Sequence, residues 1–233
     1  MHLFLIRHGQ SFNNALEDSS QRVADPELTE KGFKQARIVA SYIADGLHLQ
    51  LNERKEGAGL DKLFCSPMIR TLETVKPISC ALQLTPRVWV DVHEVGGIYL
   101  EKDGGSAVGF PGYGKDEIES RFAGYECDEV EGTGWWKDGK ETPEKAWDRA
   151  VRVAQFLIEQ SSQLNRVGVV SHGGFMSELI KALGVNPENQ RHPTMRYRHE
   201  NTSITRIDFN DDGAVEVAYL NRITHLPEEL LTV

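Results

Sequence analysis

An α/β fold is the class this sequence predicts: a three-layer α/β/α sandwich on a mostly parallel central sheet, with a C-terminal hairpin and a glycine-rich lid insertion. Three observations carry that reading. Short apolar runs stop abruptly at polar clusters, segments of helical periodicity lie between them, and a late pair of alternating segments flanks a turn signal. Strands that alternate with helices imply parallel pairing with both sheet faces covered.

Leu3 to Ile6 is a buried strand that delivers Arg7-His8-Gly9 to a turn. Thr29 caps the next helix, whose apolar face is Ala36, Val39, Ala40 and Ile43. A second strand, Leu60 to Cys65, meets Ser66-Pro67, which reads as an N-cap with proline at the first helical position. Pro77 is expected to kink or end that helix after about two turns. Arg87 to Val92 alternates as a third strand.

From Val95 to Glu141 the chain changes character. Glycines follow in quick succession, mixed with acidic residues and large aromatics, as in a functional lid or a mobile insertion. Thr142-Pro143 then starts a helix to about Gln163 that buries Ala146, Trp147, Ala150, Val151, Ala154 and Leu157. Val167 to Val170 is the most apolar strand and breaks at Ser171-His172-Gly173-Gly174, after which a helix runs to Leu183. Ser203 to Phe209 and Val215 to Leu220 flank Asp211-Asp212-Gly213 as a hairpin. The expectation is one domain over residues 1–233, with the insertion at about 95–141.

A net charge of −9 and a pI near 5.4 argue against a surface that coats nucleic acid or an anionic membrane. They leave room for a cationic pocket that takes a small anion. Three scattered cysteines without a C-x-x-C pair read as reduced thiols. No apolar run approaches a membrane span, and Met1 to Ile6 is too short for a signal h-region, so the expected location is cytoplasmic. Oligomeric state is open, a homodimer included.

The chemistry gathers where the apolar strands stop. Two of them end in His-Gly, at His8-Gly9 and His172-Gly173, and ligands of parallel α/β sheets bind outside the carboxyl ends of strands. If those strands are neighbours, both imidazoles meet in one crevice. One histidine alone would read as a hydrogen-bonded structural residue; two in the same context point to function. Arg7 precedes His8, and Arg70 lies one turn into the helix after another strand. A guanidinium grips phosphate through two parallel hydrogen bonds. For Arg70, a surface pair with Glu73 or Glu30 is the alternative.

Leu5-Ile6-Arg7-His8-Gly9-Gln10-Ser11 with Asn14 resembles the opening motif of the histidine phosphatase superfamily, also called phosphoglycerate mutase-like. Leu28-Thr29-x-x-Gly32-x-x-Gln35-Ala36, Ser66-Pro67-x-x-Arg70-Thr71-x-x-Thr74, Val169-Val170-Ser171-His172-Gly173-Gly174 and Asn201-Thr202-Ser203-Ile204-Thr205 resemble its later segments, in the family's order. The resemblance implies that neutral His8 attacks phosphorus and becomes a phosphohistidine. It implies that Arg7, Arg70 and His172 hold the equatorial oxygens, with Asn14 and backbone at Gly9 and Gly173 adding hydrogen bonds. It also implies no metal and no cofactor, a small phosphorylated substrate, and inorganic phosphate as product.

The leaving alcohol needs a proton. Glu94 sits where the family places its acid, although the usual Trp-Glu-Gly continuation is replaced by Ile98-Tyr99-Leu100, and His93 is an adjacent rival. A carboxyl beside a phosphate dianion favours its protonated form, which suits a donor. Phe12-Asn13-Asn14 lacks the tryptophan-asparagine pair of mutases, and their Asn-Glu-Arg-His-Tyr-Gly run is missing, so the phosphatase branch is favoured. A mutase remains the second reading, and a phospho-ligand or protein-binding module the third. In the insertion, Phe110, Tyr113, Trp135 and Trp136 either stack on a substrate or anchor the lid. The basic cluster Arg191, His192, Arg196, Arg198 and His199 reads as a second phosphate contact or as a basic loop.

Overall fold

The computed structural model describes residues 1–57, 59–102, 104–184 and 194–233. Its main sheet uses β1 (His2–Arg7), β2 (Lys62–Cys65), β3 (Arg87–Val88), β6 (Arg166–Ser171), β7 (Ile204–Phe209) and β8 (Val215–Arg222), in the order β3-β2-β6-β1-β7-β8. The pairs β3-β2, β2-β6 and β6-β1 are parallel; β7 runs antiparallel to β1 and β8. The strands centred in this sheet are apolar on both faces, because helices cover both.

Side-chain alternation sorts those faces. Phe4 and Ile6 of β1 pack with Val39 and Ile43 of α2 (Glu30–Ala44) and with Leu72, Val75 and Ile78 of α3 (Ile69–Leu82). Leu3 and Leu5 face Ala150, Val153 and Leu157 of α5 (Pro143–Gln160) and Phe175, Met176 and Leu179 of α6 (Gly173–Leu183). These are the three layers that the sequence predicts. Thr29 and Thr142 cap α2 and α5 as expected, through Gly32 N–H at 3.0 Å and Lys145 N–H at 3.3 Å.

Local expectations fail at four places, each for a packing reason. Pro77 lies inside α3 instead of ending it, because Leu72, Val75 and Ile78 bury that face and outweigh the missing N–H. Helix α3 begins at Ile69, two residues later than expected: Ser66 Oγ accepts the Met68 N–H at 3.3 Å and also meets His172, and its carbonyl accepts from Thr71. The third strand is only Arg87–Val88; a 3₁₀ turn at Val90–Val92 follows and buries Val92. In α5, Val153 is buried where Val151 is only half-buried.

The 95–141 segment carries a small antiparallel ladder, β4 (Tyr99–Glu101) with β5 (Ala107–Gly109), and a helix, α4 (Lys115–Arg121). Ile118, Phe122, Tyr125, Cys127, Val130 and Trp135 from this segment join the same core as α2 and α3. No helix among the described residues is long and apolar enough to cross a membrane.

Candidate active site

Parallel pairing sets the first geometry. In the β1-β6 register Ile6 lies opposite Val170 and Arg7 opposite Ser171, so His8 and His172 leave neighbouring strands side by side. Their ring centroids are 5.1 Å apart. Both are buried, His8 to 2% exposure and His172 to 0%.

The loop after β1 is held from several directions. Gly9 N–H donates to Thr74 Oγ1 at 2.9 Å, Asn201 Nδ2 to the His8 carbonyl at 3.0 Å, and Thr202 N–H to the Arg7 carbonyl at 3.1 Å. Thr202 has φ +56°, a left-handed conformation that a β-branched residue rarely holds. Gly9 must be glycine for lack of space: a Cβ there would lie 2.7 Å from the Gly32 carbonyl oxygen.

These contacts define the His8 imidazole. Nδ1 lies 2.7 Å from the Gly9 carbonyl oxygen, which only accepts, so Nδ1 carries the proton and Nε2 keeps its lone pair. Arg70 Nε donates to that Nε2 at 3.2 Å. Burial lowers the His8 pKa well below the usual histidine value, and the charges of Arg70 and Arg7 lower it further. His172 is lowered well below it too, by burial first and Arg70 next.

Arg70 is buried and pairs with Asp25 at 3.5 Å, not with Glu73 or Glu30. Glu73 instead accepts the Leu28 N–H at 2.7 Å. Burial raises the Asp25 carboxyl to about 6 against the pull of Arg70. Arg7 donates from one terminal nitrogen to the His199 carbonyl at 2.6 Å, and its Nε has no hydrogen-bond partner among the described residues. A Cβ on Gly173 would stand 3.4 Å from that Nε.

Arg7, His8, Asn14, Arg70 and Glu94 line one cavity of about 190 Å³, together with Arg22, Val95, Gly97 and Tyr99. His172 is fully buried against the His8 ring and is not among the residues that line this cavity. Its Nε2 meets Ser66 Oγ at 2.8 Å, and its Nδ1 has no partner among the described residues. The Asn14 Oδ1 serves the start of α1 (Phe12–Ala15), accepting from the Ser11 N–H at 3.1 Å and from Ser11 Oγ at 3.0 Å.

The two candidate acids part company. The Glu94 carboxylate meets the start of α6, accepting from Phe175 N–H at 2.9 Å and Gly174 N–H at 3.3 Å. The His93 ring points the other way, with Nδ1 2.7 Å from the Val90 carbonyl and both Trp135 and Trp136 about 5 Å away. Only Glu94 reaches the cavity.

Sequence reasoning missed Ser66, Asp25, Arg22 and Tyr99. Arg22 and Tyr99 carry no motif, since the crevice gathers one from a loop and the other from the start of β4. Ser66 reads as a cap in sequence, and its hydroxyl does accept the Met68 N–H, but nothing local announces its second contact with His172. Trp135 and Trp136 pack on His93 and anchor the segment, while Tyr99 takes the position at the cavity. Of the basic cluster, Arg191 and His192 lie outside the described residues. Arg196 is exposed, Arg198 pairs with Glu200 at 3.1 Å, and buried His199 contributes its carbonyl to Arg7.

A family model for the histidine phosphatase superfamily (branch 1) matches residues 3–222. No curated protein sequence matches the chain. Similar solved structures include phosphoserine phosphatase from Entamoeba histolytica in complex with 3-phosphoglyceric acid, at 22% identity and TM-score 0.61, covering 97% of this chain and 99% of that one. Alpha-ribazole phosphatase from Shigella flexneri is 19% identical with TM-score 0.59, over 95% and 96% of the two chains. Ecdysone phosphate phosphatase from Bombix mori in complex with tungstate is 13% identical with TM-score 0.61, over 92% and 91%. These likenesses speak for the fold, and the match along residues 3–222 speaks for descent. The chain belongs to the histidine phosphatase superfamily, branch 1.

Proposed function

We propose that the protein is a phosphomonoester hydrolase that works through a phosphohistidine on His8 and takes a small phosphorylated metabolite. The observation that carries this reading is the His8 imidazole: its Nδ1–H is tied to the Gly9 carbonyl, and its unprotonated Nε2 accepts from Arg70 in a cavity shared with Arg7 and Glu94.

In the proposed reaction the Nε2 lone pair attacks phosphorus in line as the ester P–O bond breaks. Arg7 and Arg70 hold the equatorial oxygens and offset the charge that builds there. His172 through its unpartnered Nδ1, the backbone at Gly173 and Asn14 through its amide nitrogen add donors. Glu94 gives its proton to the leaving oxygen. As a carboxylate it then takes one from water, whose oxygen attacks phosphorus and breaks the P–N bond. Inorganic phosphate leaves, and His8 and Glu94 regain their starting states. The scheme uses no metal and no organic cofactor. Residues 1–233 act as one catalytic domain, with the 95–141 segment as its cover through Tyr99 and Gly97. Three free cysteines agree with a reducing compartment such as the cytoplasm.

The test compares wild type with His8→Ala on p-nitrophenyl phosphate and natural phosphoesters in EDTA. Wild type is expected to turn over under chelation, and the variant to lose on the order of 10⁴-fold or more. Acid-labile phosphate should be trapped on wild type only. Equal turnover by the two proteins would sink the nucleophile assignment.

A further inference from the structure

Behind Glu94 lies a buried ion pair that the proposed chemistry does not touch. Arg149 of α5 is 2% exposed and grips Glu141 through both carboxylate oxygens, Nε to Oε1 at 2.9 Å and a terminal nitrogen to Oε2 at 2.7 Å. Such a pair is weak evidence of stability, because desolvating two charges costs about what their attraction returns. Its hydrogen bonds to the surrounding backbone are more informative.

They converge on the residues either side of Glu94. The remaining terminal nitrogen of Arg149 donates to the carbonyls of Asp91 at 2.7 Å and His93 at 3.0 Å. Glu141 holds Gly96 twice: its Oε2 accepts the Gly96 N–H at 3.2 Å, and its own N–H donates to the Gly96 carbonyl at 3.0 Å. Gly97 N–H closes the turn onto the Glu94 carbonyl at 3.0 Å. Gly96 has φ +96°, a conformation that needs both glycine and an external hold. A third side is closed by Phe175, whose ring lies under the Arg149 guanidinium at 4.6 Å and whose N–H binds Glu94 Oε1.

We propose that the Arg149–Glu141 pair is the positioning clamp of the proton donor, acting on Glu94 through the backbone of His93 and Gly96. It touches neither substrate nor phosphorus. This inference rests on the reading of Glu94 as the acid. Burial alone would raise the Glu141 carboxyl, but Arg149 and the nearby His93 ring hold it at about 2, so the clamp stays charged through the neutral range.

Leaving-group dependence separates positioning from bulk structure. A p-nitrophenolate leaves with little help, whereas phenolate or an alkoxide needs the proton. The experiment measures kcat/KM on p-nitrophenyl phosphate and phenyl phosphate for wild type, Glu94→Gln, Arg149→Met and the double variant Arg149→Met/Glu141→Gln. The last removes both charges, so no lone buried ion can unfold the protein. Its cooperative thermal melt is recorded alongside. Glu94→Gln is expected to lose about 10²-fold or more on phenyl phosphate and under about tenfold on p-nitrophenyl phosphate. The folded double variant should lose about tenfold or more on phenyl phosphate alone, and adding Glu94→Gln to it should cost no more than Glu94→Gln by itself. Equal losses on both esters, or none, in the folded double variant would overturn the clamp while the acid stands. An unselective Glu94→Gln would overturn the acid reading, and the clamp with it.

Discussion

The two ends of β1 make an instructive pair. At its carboxyl end stand Arg7, His8, Arg70 and His172; at its amino end stand His2, Glu53, Arg206 and Asp208. Both gather arginine and histidine, but at the amino end only Arg206 is buried, with His2, Glu53 and Asp208 half-buried around it. At the amino end every charge is answered: Arg206, 1% exposed, reaches both oxygens of Glu53 at 2.6 Å and Asp208 at 2.7 Å. Burial alone would lower Arg206, and those carboxylates reverse the effect and raise it. At the carboxyl end, Arg7 Nε and His172 Nδ1 lack partners among the described residues, and Arg70 has one carboxylate at 3.5 Å. Its histidines are pushed toward the neutral form. Buried charge that satisfies itself builds a fold, and buried charge left in excess beside a cavity binds an anion.

The largest expected effect breaks this contrast at the active end. Arg70→Lys keeps the charge but loses the planar fork and the bond to His8 Nε2. Its kcat/KM on any ester should fall by about 10²–10³, read by steady-state kinetics, with little change in urea midpoint. A loss under about threefold would remove Arg70 from phosphate binding.

Arg206→Met makes the complementary change. It leaves the half-buried Glu53 and Asp208 without their cation, so stability should drop by about 1–3 kcal/mol, measured by urea unfolding. Turnover per folded molecule should stay within about twofold of wild type. A matching fall in kcat would mean that the two ends are coupled.

The smallest effect sharpens the contrast through pH. His48 packs edge-on to Phe4 at 4.7 Å near the amino-end cluster, and burial, then Arg166 and Arg206, lower its pKa to about 4. The unfolded chain therefore binds this proton first, so stability is lost as pH falls from about 6.5 toward 4. His199 and His225, each lowered to about 4 by burial, act with the same sign. Replacing His48 with leucine should flatten the fall in urea midpoint between pH 7 and 4 and leave the pH profile of kcat unchanged. A midpoint slope identical to wild type would show that His48 titrates alike in the folded and unfolded chains, as an exposed histidine would.

Which parts of this were legible in sequence follows a physical rule. Thr29 and Thr142 announce helix starts because a cap is satisfied by the three residues after it. Val167 to Val170 reads as a central strand because burial on both faces demands an unbroken apolar run. His8 and His172 stand out for the same reason, since each ends such a run. Pro77 does not end α3 and Ser66 does more than cap its start, because each local rule meets a tertiary partner: the buried face of Leu72, Val75 and Ile78 in one case and His172 in the other. Arg22 and Asp25 left no local signal, because their loop has no regular period, and Tyr99 left none because β4 is a three-residue strand.

The sequence by itself therefore determined the layered α/β class, the order of its main strands and helices, and the histidines and arginines that end the apolar runs. Periodicity, caps and abrupt changes from apolar to polar are short-range properties, written within a few residues. Only the tertiary structure decided that Glu94 rather than His93 faces the cavity, that Arg70 pairs with Asp25, and that Arg149 and Glu141 hold the turn between them. Those choices depend on distances between residues far apart in the chain, where parallel pairing and side-chain packing decide which groups meet.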